Sequence, residues 1–90
     1  MSPVDIQSLW ERARGAFRLG DYREAERLLL LYLQQNPPSR EARLLLGITL
    51  AKEEKHAEAE KIFKELLAEN PRDLEALNNL AVIYRRQERF

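Results

Sequence analysis

The sequence contains no cysteine and only one histidine, His56. Without cysteine this chain has no disulfides, thiolate metal ligands or cysteine nucleophiles. One histidine is too little for the usual zinc ligand sets, and no Ser/His/Asp arrangement stands out around it. The three glycines are scattered at positions 15, 20 and 47, so they form no glycine-rich phosphate-binding loop. We therefore expect a protein that is not an enzyme and that has no cofactor.

An excess of charge of one sign is also absent, because 15 Lys and Arg residues balance 15 Asp and Glu residues. A basic excess is the usual footprint of binding to nucleic acid or to an anionic membrane surface, so we predict neither. The longest apolar run covers only residues 28–33, far short of the roughly 18–20 residues that cross a bilayer. The N-terminus lacks the basic and apolar segments of a secretory signal. These features predict a soluble, cytoplasmic protein.

What the sequence does contain is an internal repeat of 34 residues. The segments 36–37 and 70–71 are both Asn-Pro, and the segments 24–26 and 58–60 are both Glu-Ala-Glu. The same spacing relates Tyr22, His56 and Phe90. Because several separate anchors share one period, the chain is interpreted as a repeat protein.

Apolar residues at helical spacing and the residues between them predict five helices. Ser2 followed by Pro3 predicts the start of the first helix, and Gly20-Asp21 predicts its end and the start of the second. Ser39 and Asp73 are predicted N-caps of the third and fifth helices, and the Asn-Pro segments prevent helix continuation. The predicted helices are 3–19, 22–35, 40–53, 56–69 and 74–87.

The chain resembles the tetratricopeptide repeat family, with about two and a half repeats: residues 6–39, 40–73 and a partial unit 74–90. The second unit carries the family pattern best, through Leu46-Gly47, Ala59, Phe63 and Pro71. The departures are Arg12 at a usual Leu position, and Tyr32 and Leu66 at a usual small position. The resemblance implies an all-α fold, a right-handed α-solenoid of antiparallel helix pairs forming one domain over residues 1–90.

The resemblance also implies that the first helix of each pair lines a concave groove that binds a peptide or helix of another protein, as in a scaffold or assembly adaptor. At the groove-facing positions five cations stand against three acids, so we expect a groove of charge +2. The cations are Arg14, Arg18, Lys52, Arg85 and Arg86, and the acids are Glu11, Glu41 and Glu75. The carboxylate-binding mode known in the family is disfavoured, because only Arg14 and Asn79 at the matching positions suit a carboxylate. The expected groove residues are Trp10, Arg14, Phe17, Arg18, Leu44, Leu45, Ile48, Lys52, Asn78, Asn79, Val82 and Arg86.

The last helix, 74–87, is apolar on more than one face, and one face has no partner helix within the sequence. Phe90 is expected to be the first core residue of the helix that would follow. Two explanations stay open: the chain is a fragment of a longer repeat protein, or another copy of it covers this face in a homo-oligomer. The Leu30-Leu31 pair is a second candidate contact surface. The expected self-association residues are Leu30, Leu31, Leu77, Leu80, Ile83 and Tyr84.

For the single histidine and for the longest charged run we expect structural roles and no binding or catalytic role. His56 shares its repeat position with two aromatic residues, so we expect a packed core histidine. The charged run 53–58 is expected to form a solvated turn.

Overall fold

The computed structural model describes residues 5–88, and these residues form helices joined by short turns. The helices are α1 (Ile6–Arg18), α2 (Tyr22–Gln35), α3 (Arg40–Lys52), α4 (His56–Glu69) and α5 (Leu74–Arg86). No strand occurs within residues 5–88. The all-α prediction is confirmed, and each predicted helix end lies within one residue of the observed C-terminal residue.

Side-chain caps fix the start of four of the described helices. Asp5, Asp21, Ser39 and Asp73 each accept a hydrogen bond from a backbone N–H two or three residues later, at 3.0–3.2 Å. Each bond satisfies a donor that the first turn of a helix leaves unpaired. The predicted starts at Asp21, Ser39 and Asp73 are therefore confirmed.

The predicted start of the first helix at Ser2 was wrong. The structure caps α1 with Asp5, and its helix begins at Ile6. Asp5 and Ser2 both have short side chains with an acceptor oxygen, and the sequence pattern does not say which of the two is used. Ser2 and Pro3 lie outside the described residues, as does Phe90 with its predicted core role.

Each helix packs on the next one along the chain, and α3 also touches α5. The result is elongated, with extents of 50 × 27 × 17 Å. Helices α1, α3 and α5 form one layer, and α2 and α4 form the other. This is the helical-repeat solenoid that the sequence predicts, because each hairpin buries its apolar stripe only against its neighbours.

Gly47 and Phe63 form the closest contact inside the second hairpin. A Cβ atom at position 47 would lie 2.7 Å from Cε1 of Phe63, which is fully buried. Such a distance is too short for a carbon–carbon contact, so glycine is required for this approach of α4 to α3. The same two positions of the first hairpin hold Ala13 and Leu29, both fully buried.

An ion pair ties the second hairpin to α5. Arg40 donates from Nε to Oδ2 of Asp73 at 2.9 Å and from Nη2 to Oδ1 at 2.6 Å. Asp73 is buried, and the bidentate Arg40 guanidinium holds the pKa of this carboxyl below its usual range, against the opposing effect of burial. One carboxylate therefore caps α5 and links it to the start of α3.

Two of the predicted self-association residues, Leu80 and Ile83, are buried, so those two predictions need correction. Leu80 and Ile83 are 8% and 1% exposed, because they form the face of α5 that packs on α4. Tyr84 is half-buried and donates its hydroxyl hydrogen to Oε2 of Glu60 at 3.2 Å. Leu31 is half-buried against the core. Only Leu77 and Leu30 of that set are exposed.

The charged run 53–58 is less solvated than expected. Lys55 reaches back to α2, with its Nζ 2.9 Å from Oε1 of Glu26, and the Glu53 side chain is only 15% exposed beside it. His56 is half-buried, and its Nε2 lies 2.7 Å from Oε2 of Glu54. The turn is therefore part of the contact between the two hairpins.

Candidate functional site

Three helices that are not consecutive in sequence, α1, α3 and α5, meet around one cleft of about 410 Å³. We call this cleft the groove. It is the place among residues 5–88 where side chains from the whole layer of α1, α3 and α5 converge. Its lining residues are Trp10, Arg14, Arg40, Glu41, Leu44, Leu45, Ile48 and Glu75.

The floor and one wall of the groove come from α3. Leu44 is buried, and Leu45 and Ile48 are half-buried with apolar surface left open to the groove. Leu44 and Ile48 are four residues apart, so they lie on the same side of the helix one turn from each other. An apolar segment placed here would remove this surface from water.

Trp10 forms the opposite wall from α1. Its ring packs on Tyr32 of α2 with the ring centroids 5.4 Å apart and the planes tilted by 39°. Tyr32 is held in turn by Asn36, whose Nδ2 donates to the Tyr32 hydroxyl at 3.2 Å. The indole is therefore fixed from behind, while part of it remains exposed to the groove.

The Arg14 guanidinium lies over the Trp10 ring, with Cζ 5.9 Å from the centroid. This distance is within the range of a cation–π contact. The contact places a positive charge at the rim on the α1 side. The groove thus combines an aromatic wall, an aliphatic floor and a basic rim on that side.

The cleft itself has no net formal charge, whereas the expected +2 was counted over all groove-facing positions of α1, α3 and α5. The lining contains two cations, Arg14 and Arg40, and two acids, Glu41 and Glu75. Arg40 is itself paired with Asp73 and with Glu75, whose Oε1 lies 3.1 Å from Nη2. The remaining predicted cations do not line it, because they stand exposed near the C-terminal ends of their helices. They are Arg18, Lys52, Arg85 and Arg86.

Phe17 also lies outside the groove lining. Its ring packs edge-on against Tyr22 at the α1–α2 turn, with centroids 5.5 Å apart and the planes at 61°. This contact stabilises the first hairpin and leaves Phe17 no part in the groove wall.

Helix α5 contributes less to the groove than predicted. Only Glu75 of this helix is part of the lining. The amide of Asn79 is engaged within α5, donating from Nδ2 to the carbonyl of Glu75 at 2.8 Å. Asn78 and Val82 are likewise outside the lining.

Arg40 is a groove residue that the sequence-based mapping missed. Its position is set by Asp73, 33 residues later, so no local pattern reveals the contact. The repeat itself did contain a signal for this pair. Arg40 is the first residue of one repeat unit, and the acidic N-cap Asp73 directly precedes the next unit.

Two of the other depressions on the described surface do not combine aromatic, aliphatic and basic groups as the groove does. One of about 490 Å³ runs along α4 alone, and its walls are charged side chains and alanines of that helix. Another of about 370 Å³ lies on the opposite face of the molecule from the groove, between α2 and α4. It is lined by three glutamates, one lysine and four aliphatic residues, and by no aromatic residue. The aliphatic residues are Leu30, Leu46, Leu50 and Ile62.

Within residues 5–88 no three His, Asp or Glu side chains cluster closely enough to hold a metal ion. No helix in that range has the length and apolar character needed to cross a membrane.

The tetratricopeptide repeat family matches residues 11–73 and, in a second overlapping register, residues 49–90. The chain belongs to the tetratricopeptide repeat family. Tetratricopeptide repeats generally mediate protein–protein interactions. No curated protein matches this chain.

Proposed function

We propose that this tetratricopeptide repeat chain is a scaffold or assembly adaptor that binds an amphipathic peptide or helix of a partner protein in the groove. The observation that carries the proposal is the convergence of Trp10, Arg14, Leu45 and Ile48 on one cleft. Fixed aromatic and arginine side chains beside aliphatic surface are the usual anchors of protein interfaces.

The charges of the groove specify the partner further. Arg14 stands on the α1 side, and Glu41 and Glu75 stand on the side of α3 and α5. Because Arg40 is already paired with Asp73, it adds little to the field that a ligand meets. The ligand that fits best has apolar anchors in its centre, an acidic residue toward Arg14 and a basic residue toward Glu41.

Peptides selected from a phage-displayed library of segments about 15 residues long provide a test. Trp10 is the only tryptophan of the chain, so its fluorescence reports occupancy of the groove directly. We expect selected peptides to change the Trp10 emission and to bind Ile48→Lys at least about tenfold more weakly. Trp10→Ala, assayed with labelled peptide, is expected to lose about 10–100-fold in affinity.

Ile62→Lys is the matched control, because Ile62 is also a half-buried isoleucine but lies on the opposite face. It is expected to bind the selected peptides as the wild type does. Helical circular dichroism and thermal melting confirm that both variants are folded. Equal peptide affinity for wild type and Ile48→Lys, with both folded, would refute binding in the groove.

A further inference from the structure

The layer of α1, α3 and α5 ends in a row of exposed cations. Arg18, Lys52 and Arg86 are the last residues of these three helices, and they occupy one repeat position, 34 residues apart. All three side chains are exposed. No ion pair or hydrogen bond joins them to another residue of the range 5–88. We call Arg18, Lys52 and Arg86 the basic row.

The basic row continues the surface of the groove. Arg14 and Ile48 line the groove, and Arg18 and Lys52 follow them four residues later on α1 and α3. Residues four apart lie on the same side of a helix, one turn from each other. The row therefore crosses the layer directly beside the groove.

Stabilisation of the helices does not account for the row. A cation in the last turn of a helix offsets the negative end of the helix dipole. This benefit would apply equally to α2 and α4, which have 14 residues each against 13 in the other three helices, yet neither has a basic residue in its last turn. Among the described helices, only those of the groove layer end in a cation.

The acids in the turns next to the row are engaged by other contacts. Asp21 caps α2, and Glu54 lies against His56 at the start of α4. Glu53 is largely buried beside Lys55. These contacts direct the three carboxylates toward the layer of α2 and α4, so they do not neutralise the basic row.

The other acids near this end of the molecule leave the charge of the row intact. Glu24 is paired with Arg27, and Glu58 lines the depression on the opposite face. Glu88 is exposed after α5 and is offset by Arg85, which is also exposed. The acids of the groove layer stand seven or eleven residues before the helix ends, about 10–16 Å away at 1.5 Å per residue. They are Glu11, Glu41 and Glu75.

We propose that the basic row binds an acidic segment of a partner protein, extended across the ends of α1, α3 and α5. Neighbouring helices of a packed layer lie about 10 Å apart, so the three cations repeat at about that distance. A polyproline II segment rises about 3.1 Å per residue with three residues per turn, so every third side chain points the same way, about 9 Å from the last. The segment that fits best therefore carries Asp or Glu at every third position.

This binding is separate from peptide binding in the groove and goes beyond the function proposed above. A capped peptide of four Glu-Pro-Ser repeats, titrated into the isotope-labelled chain and followed by NMR, tests it. We expect amide shifts at the ends of α1, α3 and α5, with a dissociation constant of about 0.1–1 mM, because each exposed ion pair contributes little. The shifts are expected to weaken as salt is added.

Lys52→Gln and Lys61→Gln form a matched pair. Both lysines are exposed and have no ion pair within residues 5–88, and each variant loses one positive charge, but Lys61 lies on α4. Lys52→Gln is expected to weaken peptide binding at least about threefold, and Lys61→Gln is expected to leave it unchanged. Equal weakening in both variants, or a wild type without shifts at the basic row, would overturn the proposal.

Two further measurements separate other roles of the same cations. A lower melting temperature of Lys52→Gln with unchanged peptide affinity would assign the row to helix stabilisation and overturn the proposal. A short oligothymidylate is expected to bind no more tightly than the peptide, because the row offers no aromatic surface on which bases could stack. Tighter binding of the oligonucleotide, lost in Lys52→Gln, would assign the row to nucleic acid instead.

Discussion

The first hairpin closes through Leu19, Gly20 and Asp21, and the second closes through Glu53, Glu54 and Lys55 at the same repeat positions. In the first turn Gly20 takes a left-handed conformation with φ 81°, and Asp21 caps α2. In the second turn Glu54 adopts nearly the same conformation, with φ 65°. The first turn is built from residues that favour it locally, whereas the second is not.

The second turn is instead held by contacts with the other hairpin. Lys55 provides no side-chain cap for α4, but its Nζ binds Glu26 of α2. Glu53 lies beside the same pair, largely buried. Contacts between neighbouring units thus replace the local signals that close the first turn, as the nearest-neighbour energetics of repeat proteins allow. The same contrast between the hairpins extends to their core.

The largest effect on stability is expected for substitutions in the buried Gly47–Phe63 pair. Gly47→Ala places a methyl group 2.7 Å from the buried Phe63 ring, so we expect a loss of about 2 kcal/mol in the free energy of unfolding. Adding Phe63→Leu re-creates the alanine–leucine pair of the first hairpin and is expected to recover part of this loss. Urea unfolding of the single and double variants measures the coupling.

Gly15→Ala is the control for helix propensity, since nothing lies within 4 Å of a Cβ atom at that position. It is expected to stabilise the chain by about 0.5–1 kcal/mol. If Gly47→Ala were also stabilising, the close approach of α4 to α3 would not be a constraint.

Substitutions in the two turns are expected to have an intermediate effect on stability. Glu54→Gly removes the steric cost of a side chain at positive φ, and we expect a gain of about 0.5–1 kcal/mol in the free energy of unfolding. Gly20→Ala introduces that cost into the first turn, and we expect a loss of about 1 kcal/mol. Thermal melting compares the two. Changes of the same sign in both variants would mean that the turns do not share one backbone requirement.

The smallest effect is expected at Glu53. Burial raises the pKa of Glu53, and the adjacent Glu26 raises it further, while Oε1 of Glu53 has no hydrogen-bond partner. A carboxyl whose pKa is raised by folding destabilises the folded state above that pKa, and this penalty disappears as the pH falls through it. Glu53→Gln is therefore expected to stabilise the chain slightly at pH 7.

Unfolding measured between pH 7 and pH 4 checks the sign of this effect. The advantage of Glu53→Gln over the wild type is expected to shrink as the pH falls. Leu19, at the same position of the first hairpin, is exposed, so Leu19→Gln is a control that is expected to show no such pH dependence. If Glu53→Gln were more stable than the wild type by the same amount at all pH values, ionisation of Glu53 would not explain the difference.

The helices were predictable because their signals are local. Proline after each second helix, and the short polar side chains of Asp21, Ser39 and Asp73, act on backbone groups within a few residues. The groove was predictable in part: Trp10, Arg14 and the aliphatic residues of α3 do lie around one cleft, and their binding role remains a prediction. Other residues predicted in the groove lie elsewhere, because they contact side chains that the sequence pattern does not predict. Phe17, for example, packs against Tyr22.

The sequence by itself determined the five helices, their order and the 34-residue register, because caps, prolines and apolar periodicity operate over one or two helical turns. Only the tertiary structure decided that Arg40 joins the groove and that Leu80 and Ile83 are buried. These outcomes depend on which surfaces of distant segments meet, and close packing or ion pairing across more than 30 residues leaves no local pattern.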